Sequence, residues 1–466
     1  MSRGYIKNNI LDGALGGQPK PATGVFGAVG VAVNPNDGIL ILTSAADAQE
    51  KLVGGPLRDL IVSALSIAST TVYAVPLLGS VAGVVSDVVK TGSSTGSLTV
   101  TGSPRNAYNI KVEIEKTGAL NEALMSIEVD GLKSGLITIP DDGVYTLEKT
   151  GLTLTFAGVD QAFEEGTIFS FSTTAPKCSN AEMLSGIDRL LNSAYAFEWI
   201  SIAGISDAAL WAALAVKATL AEAKYRYIHF KAQARYLNEG ETLDEWVAAL
   251  TGDERGLTVG GRVQVYASWI KQSDSDGSLD VRGALDLASG MSAKRDVAEP
   301  VDAVSYGGIS GVLELLPEGI NGGHIDALDN AGYATLTKYI GLTGVYITHA
   351  RMFAESTSDY TLEERRRVMD LACHRVRTAQ LTYLNSTVSI GADGSVEGLE
   401  MFKAISQQVL NNMQKANQIS SGSVEIDPNQ DILATETLVT RIKIVPLGKM
   451  SYIENTISYS NPVLEA

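Results

Sequence analysis

The sequence predicts an α+β (mixed α/β) multidomain protein, with sheet-and-helix core domains, a small inserted all-β domain and extended terminal arms. Strand and helix patterns alternate through most of the 466 residues, as in a sheet covered by helices. Between residues 90 and 177 the pattern changes to short alternating strands separated by Gly, Asp and Pro turns. Both ends carry strand-like segments without a local partner. These three observations predict the fold class.

The composition of the chain limits the classes of function that it can have. Hydrophobic residues make up 45% of the chain and charged residues only 19%, so much of the surface is neutral and suited to burial against other copies. The net charge of −17 argues against a nucleic-acid coat, because phosphate binding needs a basic surface. The two cysteines, Cys178 and Cys373, match no metal or redox spacing, and the first residues contain no apolar signal-peptide region.

The predicted arms are residues 1–20 and 450–466. An isolated strand is not stable, so each must pair with another strand. The apolar residues that we expect at subunit interfaces are Tyr5, Ile6, Ile10, Leu11, Tyr452, Ile453, Ile457 and Tyr459.

A mixed α/β middle domain is predicted over residues 21–89 and 178–320, interrupted by the β-rich domain at 90–177. A helix capped near Thr43 or Ser44 precedes a helix at 56–68 and a strand at 71–77. After the interruption the pattern predicts strands at 197–203 and 227–231 and helices at 207–224 and 280–293. Glycines 24, 27 and 30 lack nucleotide-loop spacing and favour tight strand packing instead.

One uncharged run, residues 61–85, is long enough to cross a bilayer. Ser, Thr and Gly dilute it, and Pro76 interrupts its helical pattern, so we interpret it as a helix followed by a buried strand. No membrane insertion is expected.

The predicted C-terminal domain covers residues 321–449. Its elements are helices at 325–330 and 397–418, strands at 335–340, 344–349 and 438–445, and a long helix beginning near Thr361. Thr361 and Glu364 have the spacing of a capping box. A last strand is predicted at Tyr452–Tyr459.

Candidate catalytic residues are few. His324, Asp326 and Asp329 could hold a metal or orient an imidazole, although Asp and Asn also punctuate helix ends. His349 and His374 have no Cys or His at ligand spacing, and Cys373 fits a small core residue. A metal-dependent or hydrolytic enzyme therefore remains an alternative hypothesis, and no cofactor is predicted.

The densest charges follow Asp359. Arg365, Arg366 and Arg367 span most of a helical turn, and nearby acids make the local balance almost neutral. The pattern fits either a solvated charged face or ion pairs between subunits, for which the planar arginine head group is well suited.

The segment HIDALDNAGYATLTKYIGLTGVYITHARMFAESTSDYTLEERRRVMDLACHRVRTAQLTYLNSTV resembles the C-terminal domain of contractile tail sheath proteins of myophages, R-type bacteriocins and contractile injection systems. The opening TGVFGAVGVAV, the inserted GVYTLEKTGLTLTFAGVDQAFEEGTIFSFSTTAP and the final TRIKIVPLGKMSYIENTISYSNP agree with the same family.

The resemblance implies a structural subunit and no enzyme. Hexameric rings would stack helically around an inner tube protein, arms would add strands to neighbouring sheets, and contraction would drive the tube through a target envelope. It also implies baseplate and terminator or cap partners, an exposed inserted domain, and a virion tail or other contractile particle assembled in the bacterial cytoplasm. Tube-facing contacts would include Lys403 and Lys415, and the three arginines become packing and subunit-contact residues. A capsid or surface-layer protein is the other self-assembling alternative.

Overall fold

A computed structural model describes residues 23–147, 150–159, 162–273, 279–391 and 395–459 of the chain. The chain divides into two compact units, with the boundary between Arg375 and Val376. The domain limits predicted from sequence at 320 and 449 stay predictions.

The first segment of the larger unit alternates strands and helices as the sequence predicts. Its elements are β1 (Phe26–Val31), β2 (Leu40–Leu42), α1 (Ala45–Leu52), α2 (Pro56–Ile67) and β3 (Val72–Leu77). Ser44 is the N-cap of α1, because its hydroxyl accepts a hydrogen bond from the Asp47 N–H. Pro56 begins α2, where a missing N–H costs nothing.

A β-rich module follows, with a hydrophobic core of its own that includes Val112, Met125 and Phe169. Its strands are β4 (Val89–Thr91), β5 (Ser97–Gly102), β6 (Asn109–Lys116), β7 (Leu124–Val129), β8 (Leu132–Lys133), β9 (Ile137–Thr138), β10 (Val144–Leu147), β11 (Leu152–Ala157) and β12 (Ile168–Ser172). Those described form two sheets, ordered β10-β11-β5 and β4-β12-β6-β7-β8, with β9 also paired to β7.

The remaining elements that begin within the larger unit return to the alternating pattern. They are α3 (Asn180–Leu191), β13 (Trp199–Ile205), α4 (Ala208–Ala223), β14 (His229–Gln233), α5 (Leu243–Thr251), β15 (Val263–Tyr266), β16 (Trp269–Ser273), β17 (Leu279–Gly283), α6 (Ala284–Lys294), β18 (Val312–Leu316), α7 (Gly322–Asn330), β19 (Leu336–Thr337), β20 (Tyr346–Ile347) and α8 (Glu363–Gln380).

Among the described residues, the central sheet has the order β15-β14-β13-β1-β3-β2, with only β2 antiparallel. The strand order reverses between β1 and β13, which makes the sheet doubly wound. All six residues of β1 are buried, as expected for a parallel strand covered on both faces.

Two glycines of β1 permit close packing on both sides. A Cβ atom on Gly27 would lie 2.8 Å from the Leu190 side chain, and one on Gly30 would lie 2.6 Å from the Ala203 Cβ. The sequence-based prediction that these glycines allow tight strand packing is therefore confirmed.

The helix predicted at 280–293 is wrong at its start. Residues Leu279–Gly283 form β17 and pair antiparallel with β16, and the helix α6 begins only at Ala284. Residues 280–283 run directly into the helix, so their pattern alone did not reveal the pairing with β16.

The smaller unit contains α9 (Leu399–Lys415), β21 (Ser421–Ile426), α10 (Ile432–Thr435) and β22 (Thr440–Val445) among its described residues. β21 and β22 pair antiparallel, and α9 packs on β21, where Leu410 contacts Gly422. The predicted strand at Tyr452–Tyr459 is not formed: this segment has no regular secondary structure. A strand requires a hydrogen-bonded partner strand, and no strand among the described residues pairs with this segment.

No helix in the described part of the chain combines the length and apolar character needed to cross a membrane. The uncharged run at 61–85 is divided between α2, β3 and the connection to the β-rich module.

Candidate functional site

The charged stretch singled out in the sequence forms a buried ionic cluster at the start of α8. The helix begins at Glu363, two residues after the Thr361 cap that the capping-box pattern predicts. The Met352 N–H donates to the Thr361 carbonyl at 2.9 Å and the Glu363 N–H to the Ala350 carbonyl at 3.0 Å. This pairing holds residues 361 and 362 extended and delays the helix.

Arg367 is buried in the larger unit, with 1% of its surface exposed. Its guanidinium makes a two-pronged ion pair with Glu198, in which Nη2 lies 3.1 Å from Oε2, and Nη2 also donates to the Arg295 carbonyl at 3.2 Å. Burial alone would lower the pKa of Arg367, but the Glu198 carboxylate raises it. The same oxygen, Glu198 Oε2, also accepts the Gly24 N–H at 2.9 Å, so one carboxylate ties α8 to the chain entering β1.

Glu363 forms a second buried ion pair. Its Oε1 lies 2.7 Å from the Lys231 Nζ, and the two side chains are 2% and 0% exposed. Burial would raise the pKa of Glu363, but Lys231, Arg367 and His229 together lower it to about 2. Burial lowers the pKa of Lys231, whose ammonium also bonds the Ser292 hydroxyl of α6.

His229 is the neutral member of the cluster. It is completely buried, it stacks on Trp199 with ring centroids 5.9 Å apart, and neither ring nitrogen has a hydrogen-bond partner in the described chain. Burial, and then the charge of Lys231, hold its pKa well below the usual value. Protonation of His229 therefore opposes the native packing.

The next turn of α8 forms a third ionic group. Asp370 lies 3.1 Å from Arg262 and 3.5 Å from Arg366, whose guanidinium also covers the Tyr360 ring at 3.7 Å. Burial raises the pKa of Asp370 in spite of both arginines. Arg365 differs from its neighbours: it is half-buried, and no ion pair joins it within the described chain.

Sequence reasoning therefore missed the intramolecular partners of the triple arginine. Arg366 and Arg367 contact carboxylates of their own subunit, whereas Arg365 has a side chain accessible for another contact. The signal was the strand HFKAQ, in which polar residues alternate with apolar ones. Such alternation normally marks a solvated face, but α6 and α8 cover the face that carries His229 and Lys231.

The structure does not bring His324, Asp326 and Asp329 together as a metal site. His324 Nε2 lies 2.9 Å from Asp244, while Asp329 pairs with His349 at 3.0 Å and with Arg351 at 2.9 Å. The described residues contain no group of three or more potential metal ligands. His324 and Asp329 thus have separate intramolecular partners, and Asp326 is exposed.

The interface residues predicted at the two ends of the chain fall into two groups. Tyr5, Ile6, Ile10 and Leu11 lie outside the described residues. In the terminal segment (residues 450–459), five apolar side chains are exposed: Met450 (86%), Tyr452 (77%), Ile453 (75%), Ile457 (92%) and Tyr459 (107%).

The two lysines predicted to face the tube lie on α9. Lys403 is 3.9 Å from Glu400, and Lys415 is exposed in the last turn. These contacts do not test the role of the two lysines at the tube, which stays a prediction.

Family comparison identifies the chain. The model of the DUF2586 N-terminal domain matches residues 3–351, and that of the DUF2586 C-terminal domain matches residues 359–464. The chain belongs to the DUF2586 family. No curated protein matches this DUF2586 chain in sequence.

Solved structures share the fold of this DUF2586 protein over almost its entire length. A sheath complex of the PVC extracellular contractile injection system, in the contracted state, is 9% identical with a TM-score of 0.57, covering 100% of this chain and 99% of that one. The contracted helical sheath of the anti-feeding prophage is 10% identical with a TM-score of 0.52, covering 98% and 99%. A sheath tail protein of Listeria innocua is 10% identical with a TM-score of 0.51, covering 93% of both chains. The mixed α/β fold predicted from sequence is confirmed as that of sheath proteins.

Proposed function

We propose that this chain is the structural subunit of a contractile sheath, which polymerises helically around an inner tube and contracts to drive the tube through a target envelope. The observation that carries the proposal is the full-length match to subunits of contracted sheaths. A shared catalytic domain would match part of a chain, whereas here the β-rich module, the central sheet and the C-terminal unit all fall within the match. Under this proposal the protein is not an enzyme and needs no cofactor.

The terminal segment supports polymerisation by strand addition. Ile453 and Ile457 alternate with polar residues and are exposed, as expected of a strand whose partner belongs to another copy. In the same unit, β21 and β22 form a two-stranded sheet whose described outer edges pair with no other strand. Backbone hydrogen bonds to such an edge give affinity with little demand on sequence, so this hairpin is our candidate acceptor for an arm of a neighbouring subunit. Residues 1–20 would act in the same way at the other end.

The ionic cluster is suited to a subunit that must stay rigid while the sheath contracts. Arg367 and Glu363 join α8 to the residue before β13 and to β14 through ion pairs whose side chains are at most 10% exposed. A buried pair is expensive to separate, because each partner would be left as an unpaired charge. In our proposal these pairs keep the larger unit rigid during contraction, and Arg365 supplies the subunit contact expected of the triple arginine.

The remaining partners follow from the same proposal. Copies would form stacked hexameric rings, and a tube protein would contact the smaller unit through α9, with Lys403 and Lys415 as candidate contacts. Baseplate and terminator proteins would bind the ends of the sheath, the β-rich module would face outward, and the particle would assemble in the bacterial cytoplasm. No contact with nucleic acid or insertion into a membrane belongs to this function.

Electron microscopy of the concentrated protein tests the proposal. Wild-type chains are expected to form hollow cylinders with helical order, and chains lacking residues 1–18 or 450–466 are expected to stay as folded subunits. Flat sheets or closed shells from the wild type would indicate a surface-layer or capsid protein instead. Normal cylinders from both truncated chains would contradict strand addition by the arms.

A further inference from the structure

The neighbouring strands β14 and β15 carry polar side chains on the face of the central sheet that α8 covers. The register places Lys231 of β14 opposite Gln264 of β15. Since side chains alternate between the two faces of a sheet, His229 lies on the same face two residues before Lys231, and Tyr266 lies two residues after Gln264. Glu363 reaches this face from α8, with its Oε1 2.7 Å from the Lys231 Nζ. Three polar side chains therefore lie around one buried ion pair.

Several polar atoms of this group have no hydrogen-bond partner within the described chain. They are both ring nitrogens of His229, both amide atoms of Gln264, the Tyr266 hydroxyl and the Glu363 Oε2. Bulk solvent does not reach these atoms, because Glu363 is 1% exposed and the other three residues are 0% exposed. A buried polar atom without any partner loses its hydration and gains nothing in return, so each of these atoms requires an explanation.

The unpartnered atoms include both donors and acceptors. The Gln264 Nε2 donates, whereas the Gln264 Oε1 and the Glu363 Oε2 accept. The Tyr266 hydroxyl and the neutral ring of His229 can each do both. Complementary groups thus lie in one small region without bonding each other directly. A molecule that bridges them must be small and must both donate and accept hydrogen bonds.

The local charge identifies the bridging molecule. Lys231 pairs with Glu363 and Arg367 pairs with Glu198, so each charge of the cluster has an opposite charge of its own. An ion of either sign therefore finds no net charge to bind, and the described residues contain no group of three or more potential metal ligands. Water has the required size and is neutral, and it donates and accepts in turn.

We infer that about two internal water molecules are bound between the sheet and the start of α8, where they join Gln264, Tyr266 and His229 to the Glu363 carboxylate. The number follows from the six unpartnered atoms, because a buried water makes about three hydrogen bonds. The site goes beyond the proposed function: it belongs to the single chain and holds whether or not the chain polymerises.

The sign of one stability change tests the inference. Tyr266→Phe removes a hydroxyl that bonds a buried water, so the urea midpoint of the variant should fall. If the hydroxyl had no partner, its removal would relieve the cost of burying it, and the midpoint would rise. Tyr333→Phe is the matched control, because the Tyr333 hydroxyl is buried and donates to the Leu250 carbonyl at 2.9 Å. The two variants should show midpoint shifts of the same sign and similar size, and a midpoint of Tyr266→Phe at or above that of the wild type would overturn the inference.

Hydroxyl-radical footprinting tests whether the partner is water. X-ray pulses convert water into hydroxyl radicals where it lies, so a bound water oxidises the side chain beside it even where bulk solvent does not reach. In the unassembled wild-type protein, Tyr266 should be oxidised several-fold faster than Tyr333, although both are 0% exposed. In Gln264→Leu, which removes two hydrogen-bonding atoms from the site, oxidation of Tyr266 should fall towards the rate of Tyr333.

The wild-type measurement decides the question even if the variants fail to fold. Equal oxidation of Tyr266 and Tyr333 in the wild type would mean that no water lies beside the Tyr266 hydroxyl, and the inference would be wrong. Neither readout depends on cylinder formation, so the result is separate from that of the proposed sheath function.

Discussion

The start of α8 and the terminal segment distribute polar and apolar side chains in opposite ways. The helix places Glu363, Arg366 and Arg367 inside the protein, whereas the terminal segment exposes Ile453 and Ile457 to solvent. A buried charge is tolerated because a partner of the same chain neutralises it. An exposed row of apolar residues is expected where another molecule supplies the cover. The comparison therefore separates residues that hold the subunit together from residues that join subunits.

The largest expected effect is on assembly. In Ile453→Asp/Ile457→Asp, charge would enter the apolar face of the added strand, so cylinders should be lost. The free energy of unfolding should change by no more than about 0.5 kcal/mol, because both side chains are exposed in the subunit. Electron microscopy and urea denaturation measure the two quantities.

A matched control lies on the opposite face of the same segment. Thr456→Asp/Ser458→Asp adds the same charge there and should leave cylinders intact. Cylinders at wild-type abundance from the isoleucine double variant would show that this face is not an interface.

Inside the larger unit, substitution of a buried ion-pair residue is expected to change the stability of the subunit. Arg367→Ala leaves Glu198 as a buried charge without its arginine, which should lower the free energy of unfolding by about 3–5 kcal/mol. Arg365→Ala, two residues away and free of this pair, should lower it by less than about 0.5 kcal/mol. Equal denaturation midpoints for the two variants would contradict the intramolecular role of Arg367.

A fall in pH should destabilise the folded protein through protonation of His229 in the same cluster. Its folded pKa is depressed, so its contribution to stability is present above about pH 6.5, the usual pKa of histidine. As the pH falls below 6.5, that contribution should decline by up to about 1.4 kcal/mol per pH unit until the folded pKa is reached. Denaturant titrations between pH 5 and 7.5 should show this decline in the wild type and a flatter profile in His229→Phe.

The difference between variant and wild type isolates His229, because other titrating groups contribute equally to both proteins. The matched control is His324→Gln, which changes a histidine outside the cluster whose ring lies 2.9 Å from the exposed carboxylate of Asp244. A wild-type slope in His229→Phe would show that another group causes the acid sensitivity.

The smallest effect is expected from a surface pair of the same type. Lys443 lies 2.6 Å from Glu425, as close as Lys231 is to Glu363, but these side chains are 59% and 52% exposed. Lys443→Ala should therefore leave the denaturation midpoint almost unchanged. A loss as large as that of Arg367→Ala would mean that burial does not decide the strength of these pairs.

Elements with local signals could be predicted from the sequence. Ser44 and Pro56 mark the starts of two helices, and the apolar run of β1 indicates a strand covered on both faces. The strand β17 was missed because its residues continue directly into α6, so the two elements share one sequence pattern.

The ionic cluster could not be predicted in the same way. Lys231 and Glu363 are 132 residues apart, and nothing near either residue identifies the other. The arginines were singled out only because charged residues are dense in this stretch. The density of charges does not indicate whether an arginine pairs with a buried carboxylate or faces solvent. The exposure of Ile453 and Ile457 likewise depends on the tertiary structure, and the sequence alone does not show it. The interface roles of these residues and of Lys403 and Lys415 stay predictions.

The position of β1 in the sheet has a consequence for biosynthesis. β1 pairs with β3 on one side and with β13 on the other, and the whole β-rich module is translated between those two strands. A nascent chain can therefore fold the module around its own core before β13 leaves the ribosome, while one edge of β1 still waits for its partner. Closure of the sheet is a late event of high contact order, and the open edge of β1 is the part of the nascent chain most exposed to mispairing.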